Sequence, residues 1–524
     1  MRDWRDYFLL FMLGLTVSGG IALFQTSPGY MDADYYFAGG LQLATGKGFS
    51  EPYLWNYLDN PIGLPHPSNA YWMPLGSIIA ALGMGIFQQT SWFFARIGFL
   101  MIAALIPPVT YKIAYSLTKK RDLALISGFL AIFSGFYSVF LPVTDTFGIY
   151  LLLGGIFFII AYRQNRWRNL FLGVIAGLMH LARADGILWL FFSILVVINI
   201  PLEIKKTPNY LRHIILGLIS CFLGYLGIMG PWFLRNWFVF GSILAPGGQS
   251  MFWLTGYNQI YTYQPGLITF SAWLKNGLTE AFRVRLWALN INLQNTFASQ
   301  GSIFLLPFIL VGICIKRKEH IIRIAVIAWV FNLIIMSLVF PFAGARGGFF
   351  HSGAALQPIW WGLAPIGLVT LVEWIGLKRK WNIEKASKVF LVSIVGLSMM
   401  VTGIISIGKL YSPTEGINKW SVEDHLYREL TTLIKNSGDQ QKSTVMVSNP
   451  PGFYLASGLN AIAVPDGDEK NALYVAQRYG AGYLILEEGA FPDGLNGLYR
   501  NPDLYPDFQF LGEVDGALVF KIKP

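Results

Sequence analysis

Charge is what this sequence has least of. Only 13% of its 524 residues are Asp, Glu, Lys or Arg, against about 25% in a soluble domain. A surface so poor in charge faces lipid over most of its area. Cysteine is nearly absent. Cys221 and Cys314 are the only two, and both lie in apolar runs without a CxxC spacing or a nearby His cluster. Nothing therefore points to a disulfide framework, and both are expected to be buried thiols. A concentrated basic patch is also missing. The net charge of +10 comes from Lys and Arg residues that recur between apolar runs. That pattern argues against nucleic acid as a partner and fits a membrane topology.

What the chain does have is apolar length. It is 54% hydrophobic and 16% aromatic, with a mean hydropathy of +0.49. The first run, Tyr7 to Phe24, follows Arg2 and Arg5. It is long for a signal peptide and no A-x-A-like site precedes Pro28, so a retained helix is expected. Further runs include Leu123 to Leu141, Phe147 to Tyr162, Leu170 to Ala182, Ile187 to Ile200, Ile214 to Trp232 and Ile303 to Ile315. Ile324 to Phe340, Ile359 to Gly376 and Val389 to Leu410 complete the series, with one more run ending near Lys112. The length rule for a bilayer predicts about eleven transmembrane helices.

Every second connection is basic: Lys119-Lys120-Arg121, Arg163 to Arg168, Lys205 and Lys206, Lys316-Arg317-Lys318, and Lys378-Arg379-Lys380. The positive-inside rule then puts the N-terminus in the cytoplasm and two long loops, residues 25–90 and 233–300, outside. Residues 1–410 form the expected membrane domain. Within the first loop, Tyr71 to Phe87 is predicted as an interfacial helix with Trp72 at the headgroup level.

From Tyr411 onward the pattern changes. Asp424 to Asn436 has helical periodicity, Ser443 to Ser448 reads as a strand, and Asn449-Pro450-Pro451-Gly452 reads as a turn. A strand at Asn460 to Val464, a helix at Glu469 to Arg478, a strand at Gly482 to Leu486 and a hairpin from Phe508 to Lys521 follow. Residues 411–524 are thus predicted as a small extracytoplasmic α/β domain of normal size. They contain no Walker or GxGxxG motif.

Ionisable groups near the membrane are costly and collect at functional sites. On the predicted outer side these are Asp32, Asp34, Asp145, Arg183, Asp185, Arg235, Arg346 and His351. Taken singly, each reads as well as a solvated helix end or a snorkelling anchor. Together, carboxylates and cations at one level suggest a site. His180 is expected to pack inside the bundle.

The stretch Asp32-Ala33-Asp34-Tyr35-Tyr36, running into Leu41 and Lys47-Gly48-Phe49, follows the first apolar run. Asp145 stands at an outer helix end. Leu181-Ala182-Arg183-Ala184-Asp185-Gly186 and Pro231-Trp232-Phe233-Leu234-Arg235-Asn236 follow. On these segments the chain resembles the GT-C-fold glycosyltransferases that use polyprenyl-phosphate sugars. These include the protein O-mannosyltransferases and the lipid A aminoarabinose transferases. Many members carry Asp-Glu at the first motif, where Ala33 stands here. The Trp-Trp-Asp-Tyr-Gly motif of oligosaccharyltransferases is not matched by Trp360-Trp361-Gly362, and that subclass is set aside.

The resemblance implies an inverting transfer from a lipid-phosphate sugar to a protein, lipid or glycan acceptor at the outer face of the plasma membrane. Asp32, Asp34 and Asp145 are the implied catalytic acids, with Asp32 favoured as base because a helix is predicted to begin near Asp34. Arg183, Asp185, Arg235, Arg346, His351 and Tyr35 are the implied substrate-binding residues. No cofactor is expected; Mg²⁺ or Mn²⁺ on the carboxylates is the less favoured option. All these groups lie before residue 360, so the tail is expected to be dispensable for the chemical step. The competing readings are a transporter or flippase, which would place charges near the midplane, and a surface-polysaccharide polymerase or ligase.

Overall fold

Inside a bilayer a backbone is satisfied only in helices or closed barrels, and in this chain helices dominate. The computed structural model describes residues 3–163, 165–199, 210–411, 418–437 and 443–523; Arg2, Lys205 and Lys206 lie outside them. Packing gathers the chain into two compact units. One comprises Met1–Phe24, Arg96–Phe238 and Val284–Lys409; the other comprises Gln25–Ala95, Val239–Arg283 and Leu410–Pro524.

The first unit is a helical bundle. Among the described residues of the chain, five helices are long and apolar enough to cross a membrane. They are Trp92–Thr118, Tyr210–Phe240, His320–Val339, Gln357–Arg379 and Ile383–Leu410. Five shorter apolar helices accompany them, including Thr146–Tyr162, Arg168–Ala182 and Leu306–Lys316. The expected eleven spans are thus not reproduced as eleven full-length helices. The apolar runs are interrupted. Leu123 to Leu141, for example, divides into the helix Arg121–Ile132 and a 3₁₀ segment, Gly135–Phe140. Ile324 to Phe340, by contrast, stays within the full-length span His320–Val339, whose last turn, Ile335–Val339, is π-helical.

Close helix contacts in the bundle rest on small residues. A Cβ on Gly154 would lie 2.0 Å from the Ala355 carbonyl oxygen, so only glycine lets Thr146–Tyr162 approach the chain there. Cys221 is buried as expected, but Cys314 is exposed. It lies on the apolar helix Leu306–Lys316. His180 is buried, with Nδ1 2.6 Å from the Tyr225 hydroxyl.

The second unit is built on a six-stranded sheet. Its order is Tyr53–Leu54, Ala461–Ala463, Thr444–Val447, Ala481–Leu486, Ala517–Ile522 and Phe508–Val514. The first three junctions are parallel and the last two antiparallel. Thr444–Val447 is buried along its whole length, as a central strand covered on both faces must be. Helix Glu469–Tyr479 packs Val475, Ala476 and Tyr479 into one core with Met446, Ile462 and Leu484.

The edge strand Tyr53–Leu54 comes from the first loop, pairing Tyr53 with Ala461 and Leu54 with Ile462. The strands and helices expected in the tail are present. The expected turn at Asn449 to Gly452 is instead the start of a helix, Pro450–Ser457. Asn449 caps it by accepting a hydrogen bond from the Gly452 N–H, and proline is well suited to the first helical position. The expected helix from Tyr71 begins at Leu75. Trp72 lies ahead of it, stacked on Trp55 at 4.0 Å between centroids.

Candidate active site

The aspartate motif lies in the second unit. Met31–Ala44 is one helix with both Asp32 and Asp34 in its first turn, where the helix dipole favours acids. Asp32 is therefore helical, and not in a loop ahead of the helix as the sequence suggests. Tyr30, extended at the N-cap, supplies no side-chain cap. The following aromatics explain the early start, because they need a helix to bury them on one side. Tyr35 is 1% exposed. It packs edge-on against Trp72 at 4.7 Å and accepts a hydrogen bond from the Asn69 N–H.

Two residues along a helix turn through about 200°, and the two acids differ accordingly. Asp32 is half-buried. Asp34 is buried and accepts a hydrogen bond from Asn449 Nδ2 at 2.8 Å. The same Nδ2 donates to Glu423 Oε1 at 2.9 Å. The Tyr427 hydroxyl lies 3.0 Å from Glu423 Oε1 and 3.0 Å from Glu487 Oε1, and Ser448 Oγ donates to Glu487. Burial, then the charge of Glu423, pushes the Asp34 carboxyl well above its usual range. Burial and Glu487 push Glu423 up to about 7. Burial raises Glu487 as well. One tyrosine proton cannot serve two carboxylates, so the chain is satisfied when a carboxyl also carries a proton. The tail members of this network, Glu423, Tyr427, Asn449 and Glu487, were not found from the sequence. The available signal was Asn449 before Pro450-Pro451, a helix N-terminus signature.

The first unit holds the other acids. Asp145 is the N-cap of Thr146–Tyr162 and accepts from the Thr146 N–H. It is 1% exposed. His351 Nε2 lies 3.3 Å from both Asp145 carboxylate oxygens, and its ring stacks on Phe147 at 3.7 Å. The other ring nitrogen, Nδ1, donates to the Gly347 carbonyl at 3.0 Å. With that proton fixed at Nδ1, a neutral ring turns its Nε2 lone pair on the carboxylate. The pair is satisfied by a second ring proton or by a cation taken between nitrogen and oxygen.

Arg346 is exposed, in the turn Gly344–Gly348 just before that carbonyl. The turn depends on Gly347 at φ +114°. Arg183 Nε donates to Asp185 at 2.8 Å, so these two predicted site residues are paired with each other. Arg235 Nη1 donates to Asn236 and its guanidinium lies over the Trp232 ring at 4.8 Å.

No protein-family model and no curated protein matches this sequence. Solved structures do match in fold. The oligosaccharyltransferase of Archaeoglobus fulgidus, tethered to an acceptor peptide, aligns at a TM-score of 0.59 and 15% identity. The alignment covers 92% of this chain and 69% of that one. The same enzyme matches at 0.57 in complex with an inhibitory peptide and a dolichol-phosphate, and at 0.55 in complex with Zn and sulfate. ArnT from Cupriavidus metallidurans aligns at 0.50 and 12% identity, over 96% of this chain and 97% of its own. The chain has the GT-C fold of membrane glycosyltransferases and is an integral membrane protein. At these identities the likeness is one of fold, and the missing Trp-Trp-Asp-Tyr-Gly motif still separates this chain from oligosaccharyltransferases in sequence.

Proposed function

We propose that the chain is a glycosyltransferase that moves a sugar from a polyprenyl-phosphate donor to an acceptor at the outer face of the membrane. The observation that carries the reading is the end-to-end fold likeness to ArnT together with the likeness to an enzyme solved with dolichol-phosphate. The acceptor oxygen attacks the anomeric carbon as the bond from that carbon to the phosphate oxygen breaks. The anomeric centre inverts and the lipid phosphate leaves.

Asp32 takes the acceptor proton. Asp34, buried, hydrogen-bonded and raised in pKa, is a poorer choice for a group that must meet substrate. Cations meet the charge on the departing phosphate. Arg346 is the first candidate, since a guanidinium binds phosphate through two parallel hydrogen bonds. Asp145 and His351 offer an oxygen and a nitrogen donor, a set that suits Mn²⁺ or Zn²⁺ better than Mg²⁺. A metal held there would supply further charge stabilisation to the leaving phosphate. In the proposed topology the N-terminus is cytoplasmic, residues 411–524 are outside, and the tail takes part in acceptor choice.

The test uses purified full-length protein in detergent with synthetic isoprenyl-phosphate mannose, N-acetylglucosamine and aminoarabinose, with and without Mn²⁺. Release of isoprenyl phosphate from at least one of them is expected. Turnover of nucleotide sugars alone would overturn the reading.

A further inference from the structure

We infer that Asn449 and Trp420, both in the C-terminal segment, are positioning residues for Asp32. The inference rests on the reading of Asp32 as the base, and it runs against treating the tail as separable from the chemical step.

Tyr30, at the N-cap of Met31–Ala44, makes no side-chain cap to the first turn, so contacts from elsewhere in the chain help to fix that turn. The tail restrains it from both sides. Ahead of the helix, the Trp420 indole N–H is shared between the Ser27 carbonyl at 3.2 Å and the Pro28 carbonyl at 3.1 Å. The indole stands edge-on to the Tyr30 ring, 5.9 Å between centroids. It is so close to the backbone that a Cβ on Gly29 would lie 2.2 Å from Nε1. Gly29 has φ +91°, so glycine is required there twice over.

Inside the turn, Asn449 holds Asp34. Both hydrogens of its amide are used, one on Asp34 and one on Glu423. Its oxygen is used as well, accepting from the Gly452 N–H at 3.1 Å. The amide therefore has one orientation. Gly452 allows the close approach, since a Cβ there would sit 2.8 Å from Asp34 Oδ2. Asp34 is thus tied to the tail, and Asp32, about 200° around the same turn, is left half-exposed on a fixed backbone. A base is effective only when it is held near its working geometry, and a displacement of about 1 Å can cost about a hundredfold.

Asn449→Asp separates the two jobs of this side chain. It keeps an acceptor for the Gly452 N–H and removes both donors. In the full-length protein, kcat for the isoprenyl-phosphate sugar that the wild type turns over should fall about tenfold, with donor KM changed less than about threefold. In an Asp32→Asn background the same change should cause no further loss. An equal loss in both backgrounds, or an unchanged kcat, would overturn the inference.

Hydrogen exchange tests positioning without any donor. Amides of residues 31–37 should exchange about tenfold faster in Asn449→Asp, with strand Thr444–Val447 unchanged; wild-type protection of residues 31–37 would also overturn it. Trp420→Phe keeps the ring and removes only the N–H, and serves if Asn449→Asp does not fold. It should speed exchange of the same amides, and no change would count against the inference. Full activity in Asp32→Asn would remove the base assignment, while the exchange data would still decide whether the tail holds the turn.

Discussion

Asp32 and Asp34 differ in burial and in partners, and the proposed roles divide along that difference. Asp34 ends on Asn449 inside the second unit, so Asp34→Asn, which preserves size and an acceptor oxygen, should keep more than about a third of wild-type turnover. Arg346→Lys keeps a charge on the Gly-rich turn but loses the planar fork. Donor KM should rise about tenfold with kcat little changed, as measured by initial rates across donor concentration; an unchanged KM leaves Arg346 as an interfacial anchor. If Asp145 and His351 hold a cation, treatment with a chelator should lower turnover about tenfold or more and Mn²⁺ should restore it. His351→Ala should have low turnover that neither treatment changes. Chelator-insensitive wild-type turnover would leave the pair as a proton-bridged ion pair that organises the helix end.

The helix Val422–Asn436 brings Glu423 into a buried acidic chain, and that gives the second unit a pH dependence. Facing Glu423 are Asp34, Glu487, Tyr427, Asn449 and the neighbouring Asp424. Its folded pKa, about 7, is raised above the ordinary 4.5. Its contribution to stability is therefore full below about pH 4.5 and is lost as pH rises through 7, amounting to at most about 3 kcal/mol. Exchange protection of Val422–Asn436, corrected for intrinsic rates, should be greater at pH 5 than at pH 8, and Glu423→Gln should remove much of the difference. Equal protection at both values in the wild type would refute this. Most of these elements could be read from the sequence. The helix, the three tail strands and the hairpin follow from periodicity, because one face or both must be buried. The partners of Asp34 could not be read, since neither periodicity nor spacing links residue 34 to residue 449. The helix at Pro450–Ser457 was readable from its cap but was masked by two prolines and a glycine that also suit a turn.

At the scale of the whole molecule, composition pointed to a membrane protein and a few short motifs pointed to the fold that the solved structures share. The number of full-length spans was not legible. Apolar runs record burial in lipid or protein but not where a helix breaks off into a 3₁₀ segment, as after Ile132. The proposed topology predicts that a single cysteine at Ser443, in a chain lacking Cys221 and Cys314, reacts with an impermeant thiol reagent in intact cells. Reaction only after lysis would invert it. Sugar transfer from a lipid phosphate with Asp32 as base can be checked in a single comparison. Wild-type and Asp32→Asn protein are given saturating isoprenyl-phosphate sugar, and release of isoprenyl phosphate is followed alongside donor binding. Turnover should fall about a hundredfold or more in Asp32→Asn with donor affinity unchanged; near-wild-type turnover in that variant would refute Asp32 as the base.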